Sequence, residues 1–176
     1  MGLVKKKICL LGAFAVGKTS LTERFVHGRF DEKYLTTVGV KISQRMLPPV
    51  QAPGGGRVVQ HMFLVWDIAG LEKFDHVADN YFQGAAGALA VADLSRPETI
   101  EELKRFCTRF RSVNPEAKLV LIGNKADLFD DDRGTLACLE KLARAHRTGF
   151  LLTSAKSGAR VEEAFMELSR KIEGFA

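Results

Sequence analysis

Gly12-Ala13-Phe14-Ala15-Val16-Gly17-Lys18-Thr19 sets two glycines, a lysine and a hydroxyl at the spacing G-x-x-x-x-G-K-[ST]. An apolar run over residues 8–11 precedes it and an amphipathic stretch opens near Ser20, the strand–loop–helix setting that this spacing requires. Backbone N–H groups at a helix N-terminus point at an anion, the helix dipole favours negative charge there, and glycines let the chain wrap closely. A polyphosphate is therefore expected along Phe14, Ala15, Val16, Gly17, Lys18, Thr19 and Ser20. Lys18 would reach the outer phosphates, and the Thr19 hydroxyl would sit on a magnesium ion.

This cradle does not choose a base. Asn124-Lys125-Ala126-Asp127 follows the apolar run over residues 119–122 and so falls at a strand's carboxyl end. It is similar to the N-K-x-D motif of guanine-specific phosphate-loop proteins. The Asp127 carboxylate can accept from both the guanine N1–H and the exocyclic amine. Adenine offers no such pair and would leave a buried carboxylate unpartnered. Asn124 and Lys125 would brace the loop and cover the base. Thr153-Ser154-Ala155-Lys156 follows the last apolar run and resembles an S-A-K motif, which implies a backbone N–H donated to the guanine carbonyl from Ser154, Ala155 and Lys156.

The order of these segments, with Thr37 and Asp67-Ile68-Ala69-Gly70 between them, resembles the Ras superfamily of small GTPases over almost the whole chain. Thr37-Val38-Gly39-Val40 and Trp66-Asp67-Ile68-Ala69-Gly70 are similar to stretches of the Rab branch. The resemblance implies a GTP/GDP switch with Mg²⁺ held by Thr19, Thr37 and Asp67. Gly70 would bond the γ-phosphate, Phe30 would lie against the guanine, and Tyr34 would cover the phosphates. Losing the γ-phosphate would release Thr37 and Gly70 together, so protein effectors and regulators would read the surrounding switch segments. Trp66 and Tyr81 match partner-facing aromatics, with core packing as the equal alternative.

Four departures accompany the resemblance. Leu71 stands where a water-orienting glutamine is usual, so the catalytic set expected here (Lys18, Thr37, Gly70, Leu71) would hydrolyse GTP slowly. Phe14 stands where a small residue is usual and would crowd an incoming arginine finger. Residues 171–176 lack a cysteine for prenylation, which implies a truncated chain or a relative without that anchor. Residues 48–56, with Pro48-Pro49 and Gly54-Gly55-Gly56, lengthen a connection that is usually short and read as a loop between two strands of a hairpin. The rival functions are a pseudo-GTPase that holds GTP with negligible turnover and a nucleotide-sensing domain cut from a larger protein.

The elements that must position these residues are legible as alternation. Apolar runs over residues 8–11, 63–68, 86–94, 119–122 and 150–153 read as strands buried on both faces, as in parallel sheets. Between them lie helical stripes: Leu21, Phe25 and Val26, ending near Gly28; Ile100, Leu103, Phe106, Cys107 and Phe110, with Ser95-x-x-Glu98 as a capping box; Leu136, Leu139, Leu142 and Ala143; and Val161, Ala164, Phe165, Leu168 and Ile172. The alternation predicts an α/β fold, and the resemblance specifies a P-loop NTPase G domain over residues 1–176, with a mostly parallel six-stranded sheet and helices on both faces.

Composition agrees with this. A hydrophobic fraction of 46 % over 176 residues supplies one core, and a net charge of +5 is mild. Lys5-Lys6-Lys7 reads as the solvated start of a strand, not a nucleic-acid contact. No apolar run reaches the roughly 20 residues needed to span a bilayer. Cys9, Cys107 and Cys138 read as reduced core thiols, and the four histidines form no metal cluster. A cytoplasmic monomer is expected.

Overall fold

The computed structural model describes residues 2–32, 37, 39–69, 78–130 and 132–175. Tyr34, Gly70 and Leu71, expected at the site, lie outside the described residues.

The chain runs β1 (Gly2–Leu11), α1 (Lys18–His27), β2 (Val40–Met46), β3 (Val50–Gln51), β4 (Val58–Ile68), α2 (Ala78–Phe82), β5 (Gly87–Asp93), α3 (Glu98–Val113), β6 (Lys118–Asn124), α4 (Arg133–Ala145), β7 (Phe150–Leu152) and α5 (Val161–Ile172). One mixed sheet has the order β2-β4-β1-β5-β6-β7. β4, β1, β5, β6 and β7 are parallel, and β2 pairs antiparallel with β4. The expected count of six describes this path. A seventh strand, the two-residue β3, pairs with the start of β4 inside the stretch read as pure loop. Val50 is buried there, and its side chain gives the loop an anchor that Pro and Gly content did not suggest.

Every residue of β5 is buried, because helices cover both faces. On one face α1 and α5 pack Leu21, Phe25, Phe165 and Leu168 against Ile8, Leu10, Val65 and Leu89. Phe25 and Phe165 stack with centroids 3.7 Å apart. On the other face α3 and α4 pack Leu103, Phe106, Phe110 and Leu139 against Cys9, Leu11, Ala88 and Leu121. Trp66 and Tyr81 are half-buried against this second cluster, and the Lys7 ammonium lies 3.9 Å from the Trp66 ring centroid. Both aromatics thus serve packing.

Two expectations about local structure need correction. Ser95-x-x-Glu98 is not a capping box: Pro97 is the N-cap of α3, and no side chain caps it. Ser95 instead donates its N–H and hydroxyl to Asp93 Oδ1, at 2.9 and 2.6 Å. The carboxylate at the strand end outcompetes the helix for the serine. Helix α4 does carry a side-chain cap: Asp132 accepts from the N–H groups of Gly134 and Thr135. Cys138 is exposed, so only Cys9 and Cys107 are core thiols, and burial pushes both up to about 12. Gly28 ends α1 as expected, in the left-handed region at φ 67°.

Candidate functional site

The parallel strands β1, β6 and β7 deliver three loops to one rim of the sheet. The first joins β1 to α1. Gly12 and Gly17 take φ of 140° and 101° there. A Cβ at Gly12 would strike the Val91 carbonyl, and one at Gly17 would strike the Asn124 amide. The loop can approach β5 and β6 this closely only without side chains at those positions. Lys18 is buried and donates to the carbonyls of Gly12 and Ala13 at 2.6 and 2.9 Å, so its ammonium lies under the loop. Phe14 stands half exposed on the rim, and its carbonyl accepts from Arg96 at 2.8 Å.

The second loop leaves β6. Asn124 is buried and faces both neighbours. Its Nδ2 donates to Val16 O at 3.0 Å, while Oδ1 accepts from Thr153 Oγ1 at 3.1 Å and Ala155 N at 3.3 Å. The β1 and β7 loops are therefore joined through one amide side chain. Lys125 adopts the left-handed region at φ 62° and pairs with Asp93 Oδ2 at 2.7 Å. Burial opposes ionisation of Asp93, yet Lys125, Ser95 and Arg96 together hold its carboxyl below the usual range. Asp127 accepts from Ser154 Oγ. Asp127 is exposed, which corrects the expectation of a buried carboxylate. A wrong base incurs the full penalty only when its own ring covers that carboxylate.

These loops and the segment after α1 surround a cavity of about 320 Å³. Ala15, Gly17 and Ser20 form its phosphate-loop wall; Phe30 closes one side; Asn124, Lys125, Asp127, Ala155 and Lys156 form the far wall. Val16 lies behind, buried in the core.

At the other end of the phosphate loop three oxygen groups meet. Thr19 Oγ1 lies 2.7 Å from Thr37 Oγ1 and donates to Asp67 Oδ2 at 2.5 Å. Asp67 is buried at the end of β4, and its Oδ1 has no hydrogen-bond partner among the described residues. Burial pushes its carboxyl up, against the Thr19 hydrogen bond and the Lys18 charge. An orphaned buried oxygen beside two hydroxyls suits a hard cation of the magnesium type, which takes one or two protein oxygens and draws the rest of its shell from water and phosphate. No group of three or more His, Cys, Asp or Glu side chains among the described residues offers another metal site.

The profile of the Ras family matches residues 7–174. The chain is 36 % identical to mouse Ras-related protein Rab-22A over 173 residues, covering 98 % of this chain and 86 % of that one. Rat Ras-related protein Rab-31 is 34 % identical over 98 % of this chain and 85 % of its own length. Human Ras-related protein Rab-4B is 34 % identical over 94 % and 75 %. The chain belongs to the Ras family.

As a Rab-like small GTPase it is a molecular switch that binds GTP or GDP with Mg²⁺ and hydrolyses GTP. Its fold is that of a Ras-like P-loop GTPase. Proteins of this family bind effectors and regulators. No helix among the described residues is long and apolar enough to cross a membrane. Two residues that link these loops escaped the motif-based reading. Asp93, at the end of β5, and Arg96 form the bridge from Lys125 to the Phe14 carbonyl. A carboxylate closing the apolar run over residues 86–94 was the available signal, since strand carboxyl ends face the ligand in such sheets.

Proposed function

We propose that the cavity takes the guanosine and the β1–α1 loop takes the phosphates, with Thr19, Thr37 and Asp67 holding the magnesium. The observation that carries this reading is the Asn124 side chain, which joins the phosphate loop to the base-side loop and so sets the span between base and phosphates. Asp127 would pair with the guanine N1–H and amine, the Ala155 N–H would meet the 6-carbonyl, and Phe30 would lie on the ring. Lys125, Ser154 and Lys156 would shape the far wall.

The bound magnesium would neutralise charge between the outer phosphates. Lys18 would turn its ammonium from the loop carbonyls to the phosphates. Gly70 and Tyr34 would complete the γ-phosphate contacts. Leu71, having no polar group to orient water, would keep hydrolysis slow. Effectors and regulators would engage the segments around Thr37 and Gly70, on a cytoplasmic monomer comprising one G domain over residues 1–176.

Nucleotide extracted from the purified protein tests the assignment. Guanine nucleotide is expected, and a protein that carries adenine nucleotide instead would overturn the base reading. Hydrogen exchange compared between GDP and a non-hydrolysable GTP analogue tests the switch: protection should differ around residues 33–40 and 70–80.

A further inference from the structure

Arg24 lies late in α1, outside every motif of the site, and all of its described hydrogen bonds run to backbone carbonyls. Nε donates to Ala155 O at 2.8 Å, one terminal nitrogen donates to Lys156 O, and the other donates to Gly28 O at 3.1 Å. It forms no ion pair with a carboxylate among the described residues. The guanidinium thus ties three walls of the cavity together: the helix that begins at Lys18 and Thr19, the loop of Ala155 and Lys156, and the turn at Gly28 that leads to Phe30. The loop then passes over the arginine stem at Gly158, whose φ of 85° admits the turn and whose Cβ would sit 3.7 Å from Arg24 Cδ.

We infer that Arg24 is a positioning residue for base selection, holding the loop from behind so that the Ala155 N–H is set to meet the purine 6-carbonyl. This rests on the cavity being the guanosine site. The Ala155 N–H belongs to the Ser154–Ala155 peptide unit and its carbonyl to the next one, so holding the carbonyls of Ala155 and Lys156 restrains that N–H through the φ and ψ of Ala155. The Ala155 N–H donates to Asn124 Oδ1 at 3.3 Å, a long contact that does not fix it alone. Arginine suits the task because its planar fork can serve successive carbonyls at once, whereas a lysine ammonium is a single point of attachment.

Three diphosphates separate this role from general support of the fold. GDP and inosine diphosphate both carry the 6-oxygen, and inosine diphosphate lacks only the 2-amine that Asp127 reads. In 6-thioguanosine diphosphate sulfur, a poor acceptor, replaces the 6-oxygen while N1–H and the amine remain. For the full chain, Arg24→Ala should speed GDP release about tenfold, with Arg24→Lys intermediate. The preference for GDP over the thio analogue should shrink in both variants, while the preference for GDP over inosine diphosphate stays unchanged. A structural role alone would weaken all three ligands equally and leave both ratios as in the parent, which would overturn the inference. Should Arg24→Ala fail to fold, Arg24→Lys gives the same ratio test with the charge retained. A parent that binds GDP and its thio analogue equally would overturn the 6-carbonyl assignment and this inference with it. A parent that discriminates beside variants that discriminate equally would overturn this inference alone.

Discussion

The proposed base end and the proposed metal end of the site are built on opposite principles. At the base end polar groups find partners within the protein: Asn124 serves two loops, Ser154 caps Asp127, Lys125 neutralises Asp93, and Arg24 holds two loop carbonyls. At the metal end the Asp67 carboxylate is buried with one oxygen unpartnered among the described residues, and burial drives its carboxyl toward the neutral form. A satisfied polar network is rigid, whereas an orphaned buried oxygen is a standing cost that a cation removes. The proposed base end is therefore held by its own polar network, whereas the proposed metal end keeps a buried carboxylate oxygen that a cation would satisfy.

Asp67→Asn should break this contrast most sharply. The substitution removes a metal-binding oxygen, so magnesium affinity and magnesium-dependent GDP retention should fall by up to about 100-fold. The same change removes a buried charge, so the metal-free, nucleotide-free protein should melt at a higher temperature than the parent. Opposite signs in GDP release and in melting temperature are the expected pair. A metal-free variant that melts lower would mean that the carboxylate stabilises the fold without a cation, and the two ends would then be alike. On the base side, Asp127→Asn should weaken GDP by about 1.5–3 kcal/mol and favour xanthosine nucleotides, whose extra carbonyl accepts from the new amide. Competition binding with GDP and xanthosine diphosphate reads both effects, and an unaltered GDP affinity would place the base elsewhere.

The base end was also the more legible in sequence. Asn124, Asp127 and Ser154–Lys156 sit in short contiguous motifs directly after apolar runs, so spacing alone put them at strand ends. What spacing hid was how they are held. Arg24 is one charged residue on an amphipathic helix, and only the packing of α1 against α5 brings it to the Ala155 carbonyl. Arg96 likewise reaches Phe14 across 82 positions of sequence. The exposure of Asp127 and of Cys138 followed from tertiary placement, which a local apolar pattern does not encode. Of the metal end, Asp67 was legible at the end of β4, but its unpartnered oxygen was not. Leu71 remains readable in sequence alone, and it carries a smaller prediction. Leu71→Gln should raise single-turnover GTP hydrolysis several-fold from a parent rate at or below roughly 10⁻⁴ s⁻¹. Phe14→Gly should matter mainly when a partner supplies an arginine. A parent rate well above about 10⁻³ s⁻¹ would mean that another side chain orients the water.

The smallest expected effect tests whether the rigidity of the base end is local. Helix α5 begins just past the Ala155 loop, and its far end is pinned to β4 through His61, which has no exposed surface. His61 Nε2 lies 2.9 Å from Glu173 Oε1, and Nδ1 lies 2.8 Å from Ser169 Oγ. An ionised Glu173 can only accept, so Nε2 carries the proton and Nδ1 accepts from the serine. Burial lowers the imidazole pKa below its ordinary value, with Lys6 and Arg57 adding to the shift and Glu173 opposing it. The unfolded chain therefore gains a proton as pH falls through about 6.5 while the folded chain does not, so stability is lost on acidification, by at most about 1.4 kcal/mol per pH unit from this group. His146 is shifted in the same direction by burial, Arg111 and Lys104, so the parent must be compared with His61→Gln. Unfolding by denaturant at pH 7.5 and 5.5 should show a larger loss for the parent than for the variant. GDP release over the same range should differ little between them, because Arg24 and Asn124 hold the base loop without help from the far end of α5. A release rate that rises on acidification in the parent alone would show that the pin and the base loop are coupled through the helix, and that the preorganisation of the base end belongs to α5 as a whole.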